Sequence, residues 1–198
     1  NHLKYLIMKK IILLLFITLF TVSSIIAQQT EKRNLTSFDE IYVKGRVELH
    51  LIKSKKPSIE SEISDRYDMK RVVSKVQNGK LKIYYDKKYR PKKNPKIVIY
   101  LYHDGIKEME FDGVIRFDSE DVLKEPEMVI KGDGIVRGKL EVNVKTLRVS
   151  INGISNLTIS GTTDYAKLYI DGLGKINASE LETEKFDKST NGIARIRM

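Results

Sequence analysis

From Phe38 onward, apolar and polar residues alternate with a period of two. Phe38, Ile41 and Val43 lead to Gly45, and Val47, Leu49 and Leu51 follow with polar residues between them. Such alternation marks half-buried β-strands. Residues 53–57 form a charged turn, and Ile59, Ser61 and Ile63 predict a further strand. Residues 64–77 are mixed. Met69, Val72, Val73 and Val76 fall at helical spacing behind Ser64 or Asp65, as a capped amphipathic helix requires. Yet residues 72–77 run into Asn78-Gly79 and then Lys80-Leu81-Lys82-Ile83-Tyr84-Tyr85, and Asn-Gly between two β-prone runs is a strong hairpin signal. A single helical turn near 66–70 followed by a hairpin is therefore expected. Two prolines and a run of charge interrupt the pattern at 86–96, before a β-prone strand at 97–102.

The second half of the chain repeats itself. Asp112-Gly113-Val114, Asp133-Gly134-Ile135, Asn152-Gly153-Ile154, Asp171-Gly172-Leu173 and Asn191-Gly192-Ile193 return every 19 to 21 residues. A tight reversal needs positive φ, which glycine adopts freely and Asn or Asp tolerate best among the rest. Gly113, Gly134, Gly153, Gly172 and Gly192 are thus structural turn residues. A fixed period of this size is the mark of a solenoid, whose coils stack at about 4.8 Å. Before each turn stands an alternating run, such as Met109 and Phe111, or Val149 and Ile151. After it, Val114 and Phe117, Ile154 and Leu157, Leu173 and Ile176, and Ile193 and Ile196 are expected to continue the apolar line inside. The second copy has Gly138 where a large residue should stand, which predicts a small bulge. Arg148, Lys167, Lys175 and Arg195 are expected to point outward.

The N-terminus follows a different logic. Lys9 and Lys10, an apolar stretch at 11–20 and the small-residue exit ending at Ala27 read as a secretory signal peptide. Met8 is the natural start, and cleavage after Ala27 is expected, leaving no membrane span; retention as an anchor is the alternative. Residues 28–37 are expected to be a linker, 38–101 a β-rich cap and 102–198 the rungs of one domain. The chain has no cysteine, which removes disulfides, thiolate metal sites and a lipid-modified cysteine. The formal charge of +10 falls to +7 once Lys4, Lys9 and Lys10 leave with the leader. A basic surface of this size favours anionic polymers.

The φ-x-φ run (φ apolar), the glycine turn and the x-x-φ exit, repeated behind a leader that begins Phe38-Asp39-Glu40-Ile41, resemble the "putative autotransporter adhesin, head GIN domain" family of secreted Bacteroidetes-type proteins. The likeness covers about residues 35–198, and the segment Asn78-Gly79-Lys80-Leu81-Lys82-Ile83 fits it too. Where that family commonly shows Ser-Gly-Ala or Ser-Gly-Ser, this chain has Asn-Gly or Asp-Gly before Ile, Val or Leu, so the match is one of layout. The resemblance implies a right-handed β-solenoid of two facing sheets with rungs of about 20 residues, related in shape to pectin-lyase-like folds and without a known active site.

Candidate chemistry is sparse. Asp112, Asp133 and Asp171 form a row with Asn152 and Asn191. Stacked carboxylates suit calcium or acid–base cleavage of a polysaccharide, but an amide is no base, and turn geometry explains both residue types. The basic run Lys87, Lys88, Tyr89, Arg90, Lys92, Lys93 and Lys96 is the candidate ligand-binding segment, for sulfated or phosphorylated glycan or an anionic leaflet. Its bland counterpart is a solvated loop whose charge prevents edge pairing. Tyr84, Tyr85, Tyr89, Tyr100 and Tyr102 gather near it, as sugar-stacking rings or as strand residues. His50 and His103 lie in no metal or catalytic spacing, and His50 falls on the polar side of its strand. No metal, cofactor or catalytic residue is expected.

The resulting expectation is an exported, non-enzymatic binding module of the periplasm or outer surface of a Gram-negative cell. Its partners would be an acidic glycan, lipopolysaccharide or an envelope protein, with no specific nucleic acid. A second reading is a carbohydrate-active enzyme using Asp112, Asp133 and Arg137, which Asp112→Asn and Asp133→Asn would inactivate. A third is a self-associating structural module, or homo-oligomer, because Met198 follows directly on the last rung.

Overall fold

The hub of the sheet is β2 (Glu40–Lys53), the strand carrying Gly45. In this computed structural model, residues 28–64, 66–86 and 95–198 are described. The expected leader, 1–27, and most of the basic run, 87–94, lie outside them. Among the described residues the fold is all-β, a curled open sheet with one 3-10 turn at Met69–Arg71. Along one edge, β2 pairs in parallel with β7 (Glu108–Ser119), from Glu40↔Glu108 to Leu51↔Ser119. Along the other edge it changes partner at Gly45. Residues 40–43 pair with β5 (Lys80–Tyr85), and residues 46–53 pair with β6 (Lys96–His103), both in parallel. The positive φ of Gly45 lets one strand turn the corner between these two groups.

The remaining leader strands are antiparallel. β4 (Val72–Gln77) and β5 form the expected hairpin, and Asn78 and Gly79 both take positive φ, as a two-residue turn matched to strand twist requires. The expected helical turn is the short 3-10 segment, capped by the Asp68 side chain accepting from the Lys70 amide at 3.0 Å. β3 (Ser58–Ser64) joins β6 to β1 (Gln28–Asn34). Residues 28–37 were expected to be a linker; 28–34 are instead an edge strand, whose alternating exposure shows one face packed on the body.

Beyond β7 lies β8 (Leu123–Arg197), 75 residues of extended chain without a break. It starts in parallel register with β7, Asp112↔Asp133 and Gly113↔Gly134. The turn glycines then stack. A Cβ on Gly134 would stand 2.4 Å from the carbonyl oxygen of Gly113, on Gly153 2.2 Å from that of Gly134, on Gly172 2.1 Å from that of Gly153, and on Gly192 2.4 Å from that of Gly172. Gly113 makes the same approach to Gly45, at 2.3 Å. These copies are therefore neighbours in space, and the printed pairings among them, β2 with β7 and β7 with the start of β8, are parallel.

The core is a set of columns. Ile41, Met109, Ile130, Val149 and Leu168 stand four residues before their glycines, all buried. Four residues after the glycines stand Leu49, Phe117, Leu157, Ile176 and Ile196, also buried. Fully burying one such side chain contributes about 1.5 to 3 kcal/mol. The residue directly after the glycine departs from expectation. The alternation passes through the turn without a slip, so inward positions are two and four residues after it, as at Ile115 and Phe117. Val114, Ile154, Leu173 and Ile193 face outward, 44%, 40%, 48% and 80% exposed.

Gly138 is the second correction. No bulge interrupts the register from Glu108↔Val129 to Asp118↔Lys139. Phe111 and Phe117 stack at 4.9 Å inside one copy, and their register partners in the next are Gly132 and Gly138. Two oversized residues thus face two without side chains. A Cβ on Gly138 would stand 2.4 Å from the Phe117 ring. We expect Gly138→Ala to destabilise the fold by about 1 to 3 kcal/mol, the usual range for overpacking. Combining it with Phe117→Leu should return at least about 1 kcal/mol, since contacting sites couple. Urea titrations of the four-protein cycle check this; additive effects would refute the volume exchange.

Candidate functional site

Every strand that passes a turn glycine has two outward faces, one on each side of the corner. On the side before the glycine, the expected acidic row is present, and Asp112, Asp171 and Asn191 in it are engaged. Asp112 accepts from Lys44 Nζ at 2.6 Å and from the Tyr42 hydroxyl at 3.1 Å. The hydrogen bond to Asp112 raises the Lys44 pKa. Burial, then Asp112, raises that of the Tyr42 hydroxyl. Further along, Asn191 donates through its side-chain amide to Asp171 at 3.0 Å. The Lys44–Asp112 and Asn191–Asp171 bonds each tie one copy of the turn to its neighbour. Arg137 lies beyond the glycine corner from Asp133, four residues or about 13 Å of extended chain away, and no ion pair among the described residues joins it to Asp112 or Asp133. Asp112 and Asp133 are register neighbours, and Arg137 stands on the other side of the corner from both.

Of the basic run, Lys87, Lys88, Tyr89, Arg90, Lys92 and Lys93 lie outside the described residues. Lys96 opens β6 and is ion-paired with Glu48 of β2. That hydrogen bond is the main reason the Glu48 carboxyl titrates below its usual range. Next to this segment, where the sheet splits, is a hollow of roughly 230 Å³ between Tyr84, Tyr85, Arg46 and Pro95. The tyrosines have neighbours of their own. Tyr100 stacks on His50 at 5.0 Å, Tyr85 meets the edge of Tyr67 at 6.3 Å, and Lys32 Nζ lies 5.3 Å from the Tyr102 ring centre. His50 is half-buried, with Nδ1 3.0 Å from an Asp118 carboxylate oxygen.

Two features carry no motif in the sequence. His103 closes the inward series Ile97, Ile99, Leu101 and is fully buried; the parity of its strand was the available signal. The other is the outward face after the corner. There the aliphatic row Val114, Ile135, Ile154, Leu173 and Ile193 runs beside a row of Arg116, Arg137, Asn156, Lys175 and Arg195, every member of which is exposed. β7 and β8 set both rows in register, Val114↔Ile135 and Arg116↔Arg137, and the stacked glycines carry them onward. The outward placement of Lys175 and Arg195, with that of Arg148 and Lys167, matches the alternation.

No helix among the described residues is long and apolar enough to cross a membrane. No group of three or more His, Cys, Asp or Glu side chains among them is placed to hold a metal ion. No curated protein matches the chain. Among solved structures, a "putative adhesin" from Parabacteroides distasonis is similar over 86% of this chain and 73% of its own, with 20% identity and a TM-score of 0.80. A "putative adhesin" from Bacteroides fragilis is similar over 86% and 79%, with 21% identity and a TM-score of 0.76. A "putative lipid binding protein" from Parabacteroides distasonis covers 86% and 96%, at 19% identity and a TM-score of 0.57. At these identities the likeness shows a shared fold. The model of the family described as "Putative auto-transporter adhesin, head GIN domain" matches residues 37–198, and the chain belongs to that family.

Proposed function

We propose that this protein is an adhesion-type binding module of the cell envelope, exported and without enzymatic activity. The observation that carries the reading is the stack of turn glycines, which turns a flexible outer surface into straight rows of side chains at fixed spacing. Rows of this kind offer one chemistry many times over, which suits a repetitive or extended partner better than a small substrate. The natural architecture for such a stack is a right-handed coil of two facing sheets, one turn per 19 to 21 residues, because parallel crossovers take that hand almost without exception. Relatives of the same fold bear the names adhesin and lipid binding protein, in keeping with contact at an envelope. The cations of the basic segment from Lys87 to Lys96 suit acidic glycan, lipopolysaccharide or an acidic envelope protein.

The test is retention. Purified protein is expected to bind envelope preparations of its host, and binding should weaken as salt screens the cations. Protease added to intact cells then separates an outer-surface location from a periplasmic one. Failure to bind envelope material, acidic glycans and lipopolysaccharide alike would remove the proposal.

A further inference from the structure

The outward face after the glycine corner holds two parallel rows of opposite character. Isolated exposed aliphatics are ordinary, but four exposed ones in register with the half-buried Ile135 form a continuous apolar strip, and strips of that kind mark contact sites. Val114, Ile135, Ile154, Leu173 and Ile193 occupy the same position in five successive copies. At the spacing of adjacent strands the strip is about 19 Å long. Two residues further along each strand, about 7 Å away, run Arg116, Arg137, Lys175 and Arg195, with Asn156 between them. No ion pair among the described residues engages Arg137, Lys175 or Arg195. The next outward position adds Lys139 and Arg197, and one acid, Asp118. Within the five copies six cations face one carboxylate, with Glu48 of β2 beside Arg116, and the face is positive.

From these rows we infer that the face is a docking surface for an anionic lipid layer, a reading that rests on the envelope role proposed above. The cations meet phosphate head groups, and the aliphatic strip enters the boundary between head groups and acyl chains. Both rows are needed to choose the partner. A soluble anionic polymer satisfies the cations and leaves the strip in water, whereas a neutral apolar partner leaves the cations desolvated. An anionic lipid surface satisfies both at once, and the combination of buried apolar area with attraction to anionic lipid is what holds interfacial segments in place.

The chain contains no tryptophan, so Leu173→Trp places a single indole reporter in the strip. The full-length chain with this change is mixed with vesicles of phosphatidylcholine alone or of phosphatidylcholine with phosphatidylglycerol. Blue-shifted emission, quenched by brominated acyl chains, is expected with the anionic vesicles and absent with the neutral ones. Association through the apolar leader alone would leave the indole emission unshifted, and would count against the inference. Arg137→Glu with Lys175→Glu should lower affinity for anionic vesicles at least about tenfold, since each basic residue at such a surface is worth roughly a fivefold factor. Ile154→Ser with Leu173→Ser, in the chain without the reporter, should lower it about tenfold by loss of apolar burial while leaving retention on heparin unchanged. Equal binding by the serine variant would overturn the lipid assignment in favour of an anionic polymer. An indole shift that grows with protein concentration in the absence of vesicles, with a dimer by light scattering, would assign the face to a second copy of the chain. Wild-type protein that binds envelope preparations but ignores anionic vesicles defeats this inference alone; protein that ignores both defeats the envelope reading with it.

Discussion

Gly153→Ala is expected to destabilise the fold by roughly 4 kcal/mol. Two effects add at this position. Its φ of +120° lies where an L side chain is strained by about 1 to 3 kcal/mol. The new methyl would also stand 2.2 Å from the carbonyl oxygen of Gly134 and 3.0 Å from its carbon. Those atoms belong to backbone, which cannot swing aside as a side chain does, so the copies must separate locally and lose packing worth about 1 to 3 kcal/mol more. Gly172 already rests on Gly153 in the same manner, so the displacement is passed onward. For a chain of this size the melting temperature should fall by about 10 °C.

Gly45 separates the two effects. Its φ is +114°, almost the same, yet nothing lies within 4 Å of the position its Cβ would take. It heads the column at the point where β2 splits between β5 and β6, so no preceding turn presses on it. Gly45→Ala should therefore show the strain alone, about 1 to 3 kcal/mol. Asn152→Ala, an exposed neighbour that leaves the glycine intact, should change stability by about 0.5 kcal/mol or less. Thermal melts of the three variants decide the matter. If Gly153→Ala proved no worse than Gly45→Ala, close stacking of the turns would not be what the glycines are for.

The same column explains what could be read from the residues and what could not. A spacing of 19 to 21 residues between Asp-Gly or Asn-Gly pairs is visible by eye, because only glycine fits both the dihedral and the contact. The hairpin at Asn78-Gly79 was legible for a related reason. The hydrophobicity of Val114, Ile154, Leu173 and Ile193 predicts an inward side, but parity across the turn decides it. Counting in twos from Phe111 through Gly113 to Ile115 and Phe117 puts the residue after the glycine in water. The reason for Gly138 lies in another copy: the Phe117 ring occupies the space, and size exchange between strands has no local signature. Residues 28–34 lack apolar alternation, yet they become a strand because β3 offers an open edge to pair with. The candidate face after the corner was within reach of the sequence as rows at fixed offsets from each glycine. Its outward orientation needed the register.

His103 is expected to make the fold acid-labile. Its ring is 1% exposed at the end of β6, and neither ring nitrogen has a hydrogen-bond partner among the described residues. Burial is the main cause that lowers its pKa to about 4 from an ordinary 6.5, and the nearby Lys53 ammonium adds to it, while Asp121 and Asp104 act in the opposite sense. The unfolded chain binds this proton at the ordinary value and the folded chain resists it. Stability is therefore undiminished above about pH 6.5, declines as the pH falls, and has lost the full contribution below about pH 4. The separation of the two values corresponds to roughly 3 kcal/mol. Other groups lose stability in acid as well, among them Glu31 beside Arg33 and Glu48 beside Lys96, whose carboxyls are held below their usual range. His103→Leu keeps an apolar side chain of similar bulk and leaves those pairs intact. The difference between wild type and variant isolates the imidazole: urea titrations at pH 7.5 should be alike, or favour the variant slightly, and at pH 4 the variant should be the more stable by about 3 kcal/mol. Parallel decline of the two proteins through acid would mean that the ring takes up its proton without disturbing the core, and that acid lability arises at the surface carboxylates instead.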